Sequence, residues 1–147
     1  MSKDEIPFPP NQNFIDVVEP LRSELGNQKL LTFVTYQLDF DGELLKQTAG
    51  AFDYVALMGY FWGTQQMKDE FNAYAPAYVA PENLLIGVSP ADPQTPLEEV
   101  AELSPWEPSG AHKGGMMLFA TPYDIQEYSG HPQWTYCKTI DEHMPTA

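Results

Sequence analysis

Four short apolar runs, each of strand length, constrain the fold of this chain more than any other feature of its sequence. Within each run the hydrophobic residues are almost continuous instead of alternating with polar ones. This pattern is typical of strands in a parallel sheet that is covered by helices on both faces. The predicted strands are residues 30–36 (LLTFVTY), 52–60 (FDYVALMGY), 84–88 (LLIGV) and 115–120 (GMMLFA).

A helical pattern precedes the first of these runs. Apolar residues at helical spacing over positions 14–25 predict a helix, with Asn13 as its N-cap and Gly26 just past its end. Pro20 lies inside this segment and is expected to kink the helix or divide it in two. Between the first two strands, residues 42–49 leave room for a short helix at most.

Two further helices are expected between the strands. Residues 66–74 predict one helix, which stops near Pro76. After the third strand, Thr95, Pro96 and Glu98 form a capping box, in which the threonine side chain would cap the helix that follows. The polar segment after position 122 is expected to contain a short helix near its end.

Strands and helices therefore alternate, which implies right-handed crossovers and a parallel sheet. Four such strands suit either a small flavodoxin-like sheet or half of an eight-stranded barrel. A phosphate-binding sheet needs a glycine-rich first loop, and the loop QLDFDGE has one glycine and two aspartates. The sequence thus favours an α/β fold of about four βα units of a (β/α)8 TIM barrel, a partial barrel over residues 1–125, followed by a C-terminal tail over 126–147.

The charge balance excludes some classes of partner. The 147 residues, enough for one domain, carry 21 acidic and 7 basic side chains, a formal net charge of −14. Such a surface repels phosphate backbones and anionic lipid, so neither nucleic acid nor membrane is expected as a partner. Neutral sugars, peptides and cations remain open. The sequence shows no signal peptide and no membrane-spanning run, and the compartment stays unknown.

No cofactor and no metal site is predicted. The single cysteine, Cys137, cannot form an internal disulfide. Two aspartates beside Gly42 lack the loop length of a calcium-binding EF-hand. The three histidines lack the spacing of a zinc site: His112, His131 and His143.

Aromatic side chains are concentrated at the predicted strand ends. In a parallel barrel the carboxyl ends of the strands meet at one mouth, where function resides. Aromatic rings stack on the C–H faces of sugars, while carboxylates and amides accept hydrogen bonds from sugar hydroxyls. The alternative is that these rings simply plug the mouth of the barrel. The strand-end aromatics are Tyr36, Tyr60, Trp62, Phe119 and Tyr123.

The run FDYVALMGYFWG (52–63) resembles the sixth strand of family 18 glycoside hydrolases, where a Met-any-Tyr ending places its tyrosine over the catalytic centre. Residues 13–36 resemble the fourth helix and fifth strand of that family, particularly in relatives of the endoglycosidase H type. PENLLIGVS (81–89) resembles the seventh strand, and KGGMMLFATP (113–122) resembles the eighth. The resemblance covers about residues 4–125 and implies the C-terminal half of such a barrel.

The resemblance also implies a reaction, which is substrate-assisted, retaining hydrolysis of β-1,4 links at N-acetylglucosamine in an N-glycan core or a chitin-like chain. Glu5 would be the general acid, Asp4 its neighbour that orients the acetamide, and Tyr60 the donor to the acetamide carbonyl. No cofactor is implied, and relatives are often secreted. The implied substrate-binding residues are Tyr36, Gln37, Trp62, Phe119 and Tyr123.

Two features predict that the chain alone is inactive. Glu5 lies close to a charged terminus, whereas a carboxylic acid acts near neutral pH only if burial raises its pKa. A half-barrel leaves two sheet edges and an apolar inner face open, so a second copy or a missing N-terminal half-barrel is expected to pair with it, unless the tail wraps over that side. The alternative function is a non-catalytic carbohydrate-binding or interaction protein, with Asp4 and Glu5 as solvated charges.

Overall fold

The computed structural model describes residues 12–91 and 93–145, so that Asp4 and Glu5 lie outside the described residues. Helices and strands alternate along the chain as predicted. The elements are α1 (Gln12–Leu25), β1 (Thr32–Thr35), α2 (Leu38–Thr48), β2 (Tyr54–Leu57), α3 (Thr64–Tyr74), β3 (Leu84–Val88), α4 (Leu97–Leu103), β4 (Gly115–Leu118), α5 (Gln126–Ser129) and α6 (Thr135–His143). Short 3-10 turns join several of them.

All four predicted strands form, and they make one parallel sheet in the order β1-β2-β3-β4. Thr32 pairs with Tyr54, and Leu85 with Gly115. In a doubly wound sheet the strand order reverses at a switch point, whereas here each strand lies beside its predecessor. Sequential order is that of a barrel, so the prediction of four βα units of a partial (β/α)8 barrel is confirmed.

The hydrophobic core lies between the outward face of the sheet and the helices. Outward-pointing residues of the strands, such as Val55, Leu57 and Ile86, are fully or almost fully buried against α3 and α4. Phe71 of α3 and Leu103 of α4 fill the helix side of this layer. Each such side chain stabilises the fold by roughly 1.5–3 kcal/mol through its removal from water.

The inward face of the sheet is open among the described residues. Val34 of β1 is 46% exposed and Tyr54 of β2 is 38% exposed. The apolar strand pattern taken alone indicates cover on this side as well, whereas the described residues leave it open, as expected for a half-barrel. In a complete barrel the inner face is filled by side chains from all eight strands, and the described residues form four strands.

Two helices differ from their predicted form. α2 begins at Leu38, not near position 42, because the chain turns into a helix immediately after β1. Asp39 and Asp41 in its first turn interact favourably with the helix dipole. α1 runs undivided through Pro20 and ends before Gly26, whose φ of +60° is the left-handed conformation expected past a helix end.

The predicted capping box at α4 is wrong. The helix starts at Leu97 without a side-chain cap. The Thr95 hydroxyl instead accepts the Ser89 N–H at 3.0 Å and donates to the Tyr60 carbonyl at 3.3 Å. Thr95 is buried between the ends of two strands, where these tertiary bonds replace the local cap.

The segment after β4 packs on the outer layer. The Asp124 carboxylate accepts the N–H groups of Tyr136 and Cys137 at the start of α6. The buried Tyr136 donates its hydroxyl to the Thr95 carbonyl at 2.7 Å and belongs to the same core as the strands. This segment therefore covers the outside of α4 and β4, while the boundary after residue 125 stays a prediction. Within the described part of the chain, no helix is long and apolar enough to cross a membrane.

Candidate functional site at the mouth of the half-barrel

Tyr60 lies just beyond β2 at the mouth, which is the edge formed by the carboxyl ends of the four strands. Its side chain lies across β3 at Gly87. A Cβ at Gly87 would come within 3.0 Å of the Tyr60 ring and 2.5 Å of the Leu57 carbonyl oxygen. Glycine at this position therefore lets the ring rest directly on the strand. Tyr60 is 8% exposed, so the ring is a buried part of the mouth.

The Tyr60 hydroxyl is buried and has no hydrogen-bond partner among the described residues. A buried hydroxyl without a partner destabilises a fold by about 1–3 kcal/mol, so such groups are rare and need an explanation. Burial raises the pKa of Tyr60 to about 12. The phenol therefore keeps its proton near neutral pH and can act as a hydrogen-bond donor to a partner that these residues do not supply.

Phe119 covers Tyr60 from the end of β4. The two rings are parallel, with centroids 5.6 Å apart and planes that differ by 4°. Phe119 is 52% exposed, and it also lines an apolar cavity of about 260 Å³ on the inward face of the sheet. The structure thus brings two of the predicted site residues, Tyr60 and Phe119, into one aromatic stack at the mouth.

A second cavity, of about 370 Å³, lies at the ends of β1 and β2. It contains three of the predicted substrate-binding residues. Aromatic walls with carboxylate and amide groups are the chemistry that suits a sugar ring and its hydroxyls. Gly59 permits close packing here, because a Cβ at that position would come within 2.3 Å of the Trp62 ring. The lining residues are Tyr36, Gln37, Leu38, Asp39, Phe40, Trp62, Glu70 and Ala73.

Tyr123 lies apart from both cavities. It follows β4 in a short 3-10 turn and packs edge-on against Tyr128, with ring centroids 5.2 Å apart. It lines neither the cavity at Trp62 nor the inward cavity at Phe119. The structure therefore does not join this predicted substrate-binding residue to the others.

A buried hydrogen-bond chain supports the end of β1 and escaped the sequence analysis. The Thr35 hydroxyl bonds to the Asp41 carboxylate at 2.5 Å and to the Tyr74 hydroxyl at 2.8 Å. Burial raises the pKa of Tyr74, so its hydroxyl stays protonated. These hydrogen bonds tie β1 to α2 and α3, which positions Tyr36 and Gln37 at the end of β1. Tyr74 lies 39 positions from Thr35, so no local sequence pattern predicts this contact.

The described residues contain no carboxylate that hydrogen-bonds to Tyr60, and they contain no group of three His, Cys, Asp or Glu side chains suited to a metal ion. The Asp41 carboxylate already accepts a hydrogen bond from the Thr35 hydroxyl. The predicted acid Glu5 and its neighbour Asp4 lie outside the described residues, so their roles stay predictions. The structure thus describes the predicted tyrosine and aromatic residues of the site but not the predicted acid, Glu5.

Comparisons with known proteins identify the fold. No family model and no curated protein matches the sequence. Two crystal structures of an endo-beta-N-acetylglucosaminidase from Cordyceps militaris, in apo form and as a mutant in complex with fucosyl-N-acetylglucosamine-Asn, superpose with a TM-score of 0.70 at 24% identity. The catalytic domain of a family 18 chitinase from the fern Peteris ryukyuensis superposes at 0.65 and 16% identity.

Each superposition covers 89% of this chain but only 50% or 51% of the other chain. The chain thus spans about half the length of the structures that it matches. Because the identities are below 25%, the similarity establishes the architecture and leaves activity to be tested. The four parallel strands in sequential order agree with this assignment. The chain therefore has the fold of about half of a family 18 glycoside hydrolase domain.

Proposed function

We propose that this chain is the sugar-binding half of a family 18-type glycoside hydrolase that acts on β-1,4-linked N-acetylglucosamine, in an N-glycan core or a chitin-like chain. The observation that carries the proposal is Tyr60, whose buried, protonated hydroxyl at the barrel mouth has no partner among the described residues. The glycan in one matched structure, fucosyl-N-acetylglucosamine-Asn, supports the same class of ligand.

The acetamide group of N-acetylglucosamine can supply the hydrogen-bond partner that the Tyr60 hydroxyl lacks among the described residues. Its carbonyl oxygen accepts a hydrogen bond, and Tyr60 can donate one because its pKa is raised to about 12. In substrate-assisted hydrolysis the acetamide oxygen attacks the anomeric carbon as the glycosidic bond breaks. A carboxylic acid protonates the leaving oxygen, and water later opens the cyclic intermediate with net retention. In the proposed mechanism Glu5 is that acid, Asp4 orients the acetamide, and Tyr60 fixes its carbonyl.

The cavity at the ends of β1 and β2, which Tyr60 does not line, provides a place for a sugar ring at the same mouth. Trp62 and Tyr36 present aromatic faces, and Gln37 presents an amide. The carboxylates of Asp39 and Glu70 form no hydrogen bond or ion pair with another described residue, so their oxygens are available to sugar hydroxyls. A volume of about 370 Å³ lies within the range of small-molecule pockets.

Hydrolysis needs more than the described half of the barrel. A general acid must be protonated when substrate binds, and burial is what raises a carboxyl pKa enough for that. The inner face of the sheet is open among the described residues, so this half of the barrel provides little of that burial. We therefore propose that this chain binds glycan in isolation and cleaves it only when the barrel is completed.

Binding can be tested by calorimetric titration with the N-acetylglucosamine tetramer. Trp62→Ala should weaken binding about tenfold, because losing one aromatic platform removes about 1.4 kcal/mol. Trp134→Ala is the matched control, since Trp134 is exposed on the segment before α6 and lines neither cavity. It should leave the affinity unchanged. No binding by the unmodified chain at millimolar sugar, or equal losses in both variants, would contradict the proposal.

A second candidate is a non-catalytic carbohydrate-binding protein, and one observation favours it. No described carboxylate bonds to Tyr60. A glycan-release assay with the chain and its Glu5→Gln variant separates the two functions. Release that Glu5→Gln abolishes, with binding retained, supports the hydrolase. Binding without release under every condition supports the binding protein, and equal release by both chains excludes Glu5 as the acid.

A further inference from the structure

The inward face of the sheet is an uncharged surface contributed by all four strands. Val34 and Phe119 are 46% and 52% exposed on it. Side chains of this kind are normally scattered singly on a protein surface, whereas a contiguous apolar face marks an interaction surface. The lining residues of its cavity are Thr32, Phe33, Val34, Tyr54, Ala56, Met58, Leu85, Met117 and Phe119, and none of them is charged.

Two sheet edges border this face. Among the described residues β1 pairs only with β2, and β4 pairs only with β3, so each outer strand has one unpaired edge. α6 packs on α4 and touches β4, and no residue of the segment 126–145 lines the inward cavity. The expected alternative, in which the tail wraps over the open side, is therefore not seen at this cavity in residues 126–145.

We propose that a second copy of this chain covers the inward face, so that two copies close an eight-stranded parallel barrel. All four strands point the same way. A twofold axis parallel to the strands therefore keeps the strands of the two copies parallel. It brings β4 of each copy beside β1 of the other, and both edges are then paired. Closed twofold symmetry is the commonest arrangement of oligomers.

The size of the matched structures sets the size of the occupant. This chain superposes on half of each of them, so the closed fold contains about as much chain again as one copy supplies. Two copies provide the eight strands of a complete barrel, whose interior is filled by side chains rather than water. The uncharged lining of each copy is suited to the uncharged lining of the other.

Closure would also complete the site. The twofold axis places the carboxyl ends of all strands at the same end of the barrel. The Tyr60–Phe119 stacks of both copies would then face each other across one mouth. Among the described residues of one chain this mouth is open on one side, so a second copy would complete the candidate site.

Net charge opposes this association and makes it testable. Each copy carries −14, so two copies repel, whereas the joined faces contain no charge. Salt shortens the Debye length from about 10 Å at 0.1 M to about 3 Å at 1 M and weakens this repulsion. The dimer should therefore become tighter as salt rises. An interface held by ion pairs would become weaker instead.

Light scattering coupled to size-exclusion chromatography over a concentration series tests the proposal with the unmodified chain. The expected mass rises to twice the 16.5 kDa of one chain, with no larger species. Val34→Asp should weaken association at least about 100-fold, because it places a charge in the joined apolar faces. Gln47→Asp adds the same charge on the exposed side of α2 and should leave association almost unchanged.

Four results would overturn the proposal: a monomer at all concentrations and salts, open-ended oligomers, a dimer that salt weakens, or a dimer equally affected by both variants. A monomer that gains a defined partner only from a separate half-barrel protein would assign the face to that protein instead. Circular dichroism of Val34→Asp distinguishes lost association from lost folding. The salt series on the unmodified chain decides the matter if the variant does not fold.

Discussion

The outward and inward side chains of the same four strands have different surroundings, although their residue types are similar. Val55 points outward on β2 and is 1% exposed, whereas Val34 points inward on β1 and is 46% exposed. Helices supply the cover on one side, and no described residue supplies it on the other. Burial in this fold therefore depends on which element lies opposite a side chain, and the residue type alone does not determine it.

The largest expected effect is on the covered side. Phe71 of α3 is fully buried and packs edge-on against Trp106, with ring centroids 5.4 Å apart. Phe71→Ala should lower the free energy of unfolding by about 3–5 kcal/mol, because it removes buried apolar surface and leaves a cavity. Urea denaturation followed by circular dichroism measures the loss.

An exposed phenylalanine provides the control. Phe61 is 57% exposed, so Phe61→Ala should lower the free energy of unfolding by less than about 1 kcal/mol. Similar losses in the two variants would mean that the layer between the sheet and α3 is not the core. The conclusion that helices bury the outward face and leave the inward face open would then be wrong.

The apolar strand pattern predicted the covered side correctly but did not distinguish it from the open side, which only the half-barrel arrangement predicted. Continuous apolar runs located all four strands, and the strand-end rule located Tyr36, Gln37 and Trp62, which the structure places in one cavity. The same continuity predicted cover on both faces. That inference fails at Val34. The apolar pattern indicates that a face is more stable when it is covered, but it does not show whether the chain itself supplies the cover.

Long-range polar contacts were equally beyond the sequence. Thr95 fitted a local capping pattern, yet its hydroxyl bonds to Ser89 and Tyr60, which lie on other segments. The Thr35–Tyr74 bond joins residues 39 positions apart. Such contacts depend on the packing of elements against one another, which spacing along the chain does not record.

A smaller effect is expected at the two buried tyrosine hydroxyls. The Tyr74 hydroxyl, on the covered side, bonds to Thr35 at 2.8 Å. Tyr74→Phe should lower the free energy of unfolding by about 1–3 kcal/mol, because it removes one partner of a buried hydrogen-bond chain. Urea denaturation at pH 7 measures this change.

Tyr60→Phe is the matched variant on the inward side. Its hydroxyl has no described partner, so its loss should be neutral or stabilising by up to about 1 kcal/mol. Burial raises the pKa of Tyr60 to about 12, whereas an unfolded tyrosine titrates near 10. The folded state therefore keeps a proton that the unfolded state releases, and stability falls as pH rises from about 10 to about 12. Tyr60→Phe should reduce that fall. A loss at pH 7 as large as that of Tyr74→Phe would show that the hydroxyl has a partner.

The smallest effect is expected at Val34 in dilute solution. Val34→Ala should change the free energy of unfolding by less than about 0.5 kcal/mol, because almost half of this residue is already exposed to water. The same substitution at Val55, which is fully enclosed, should cost about 1–3 kcal/mol. Thermal and urea unfolding of both variants at micromolar concentration measure the difference.

Protein concentration then turns this small effect into a test of what covers the open face. If a second copy buries Val34, the loss in Val34→Ala should grow as concentration rises, because only the associated state contains the added apolar contact. The loss in Val55→Ala should stay constant, since Val55 is buried within one chain. A Val34→Ala effect that does not change with concentration would mean that the inward face stays open to water, and the two sides of the sheet would differ permanently.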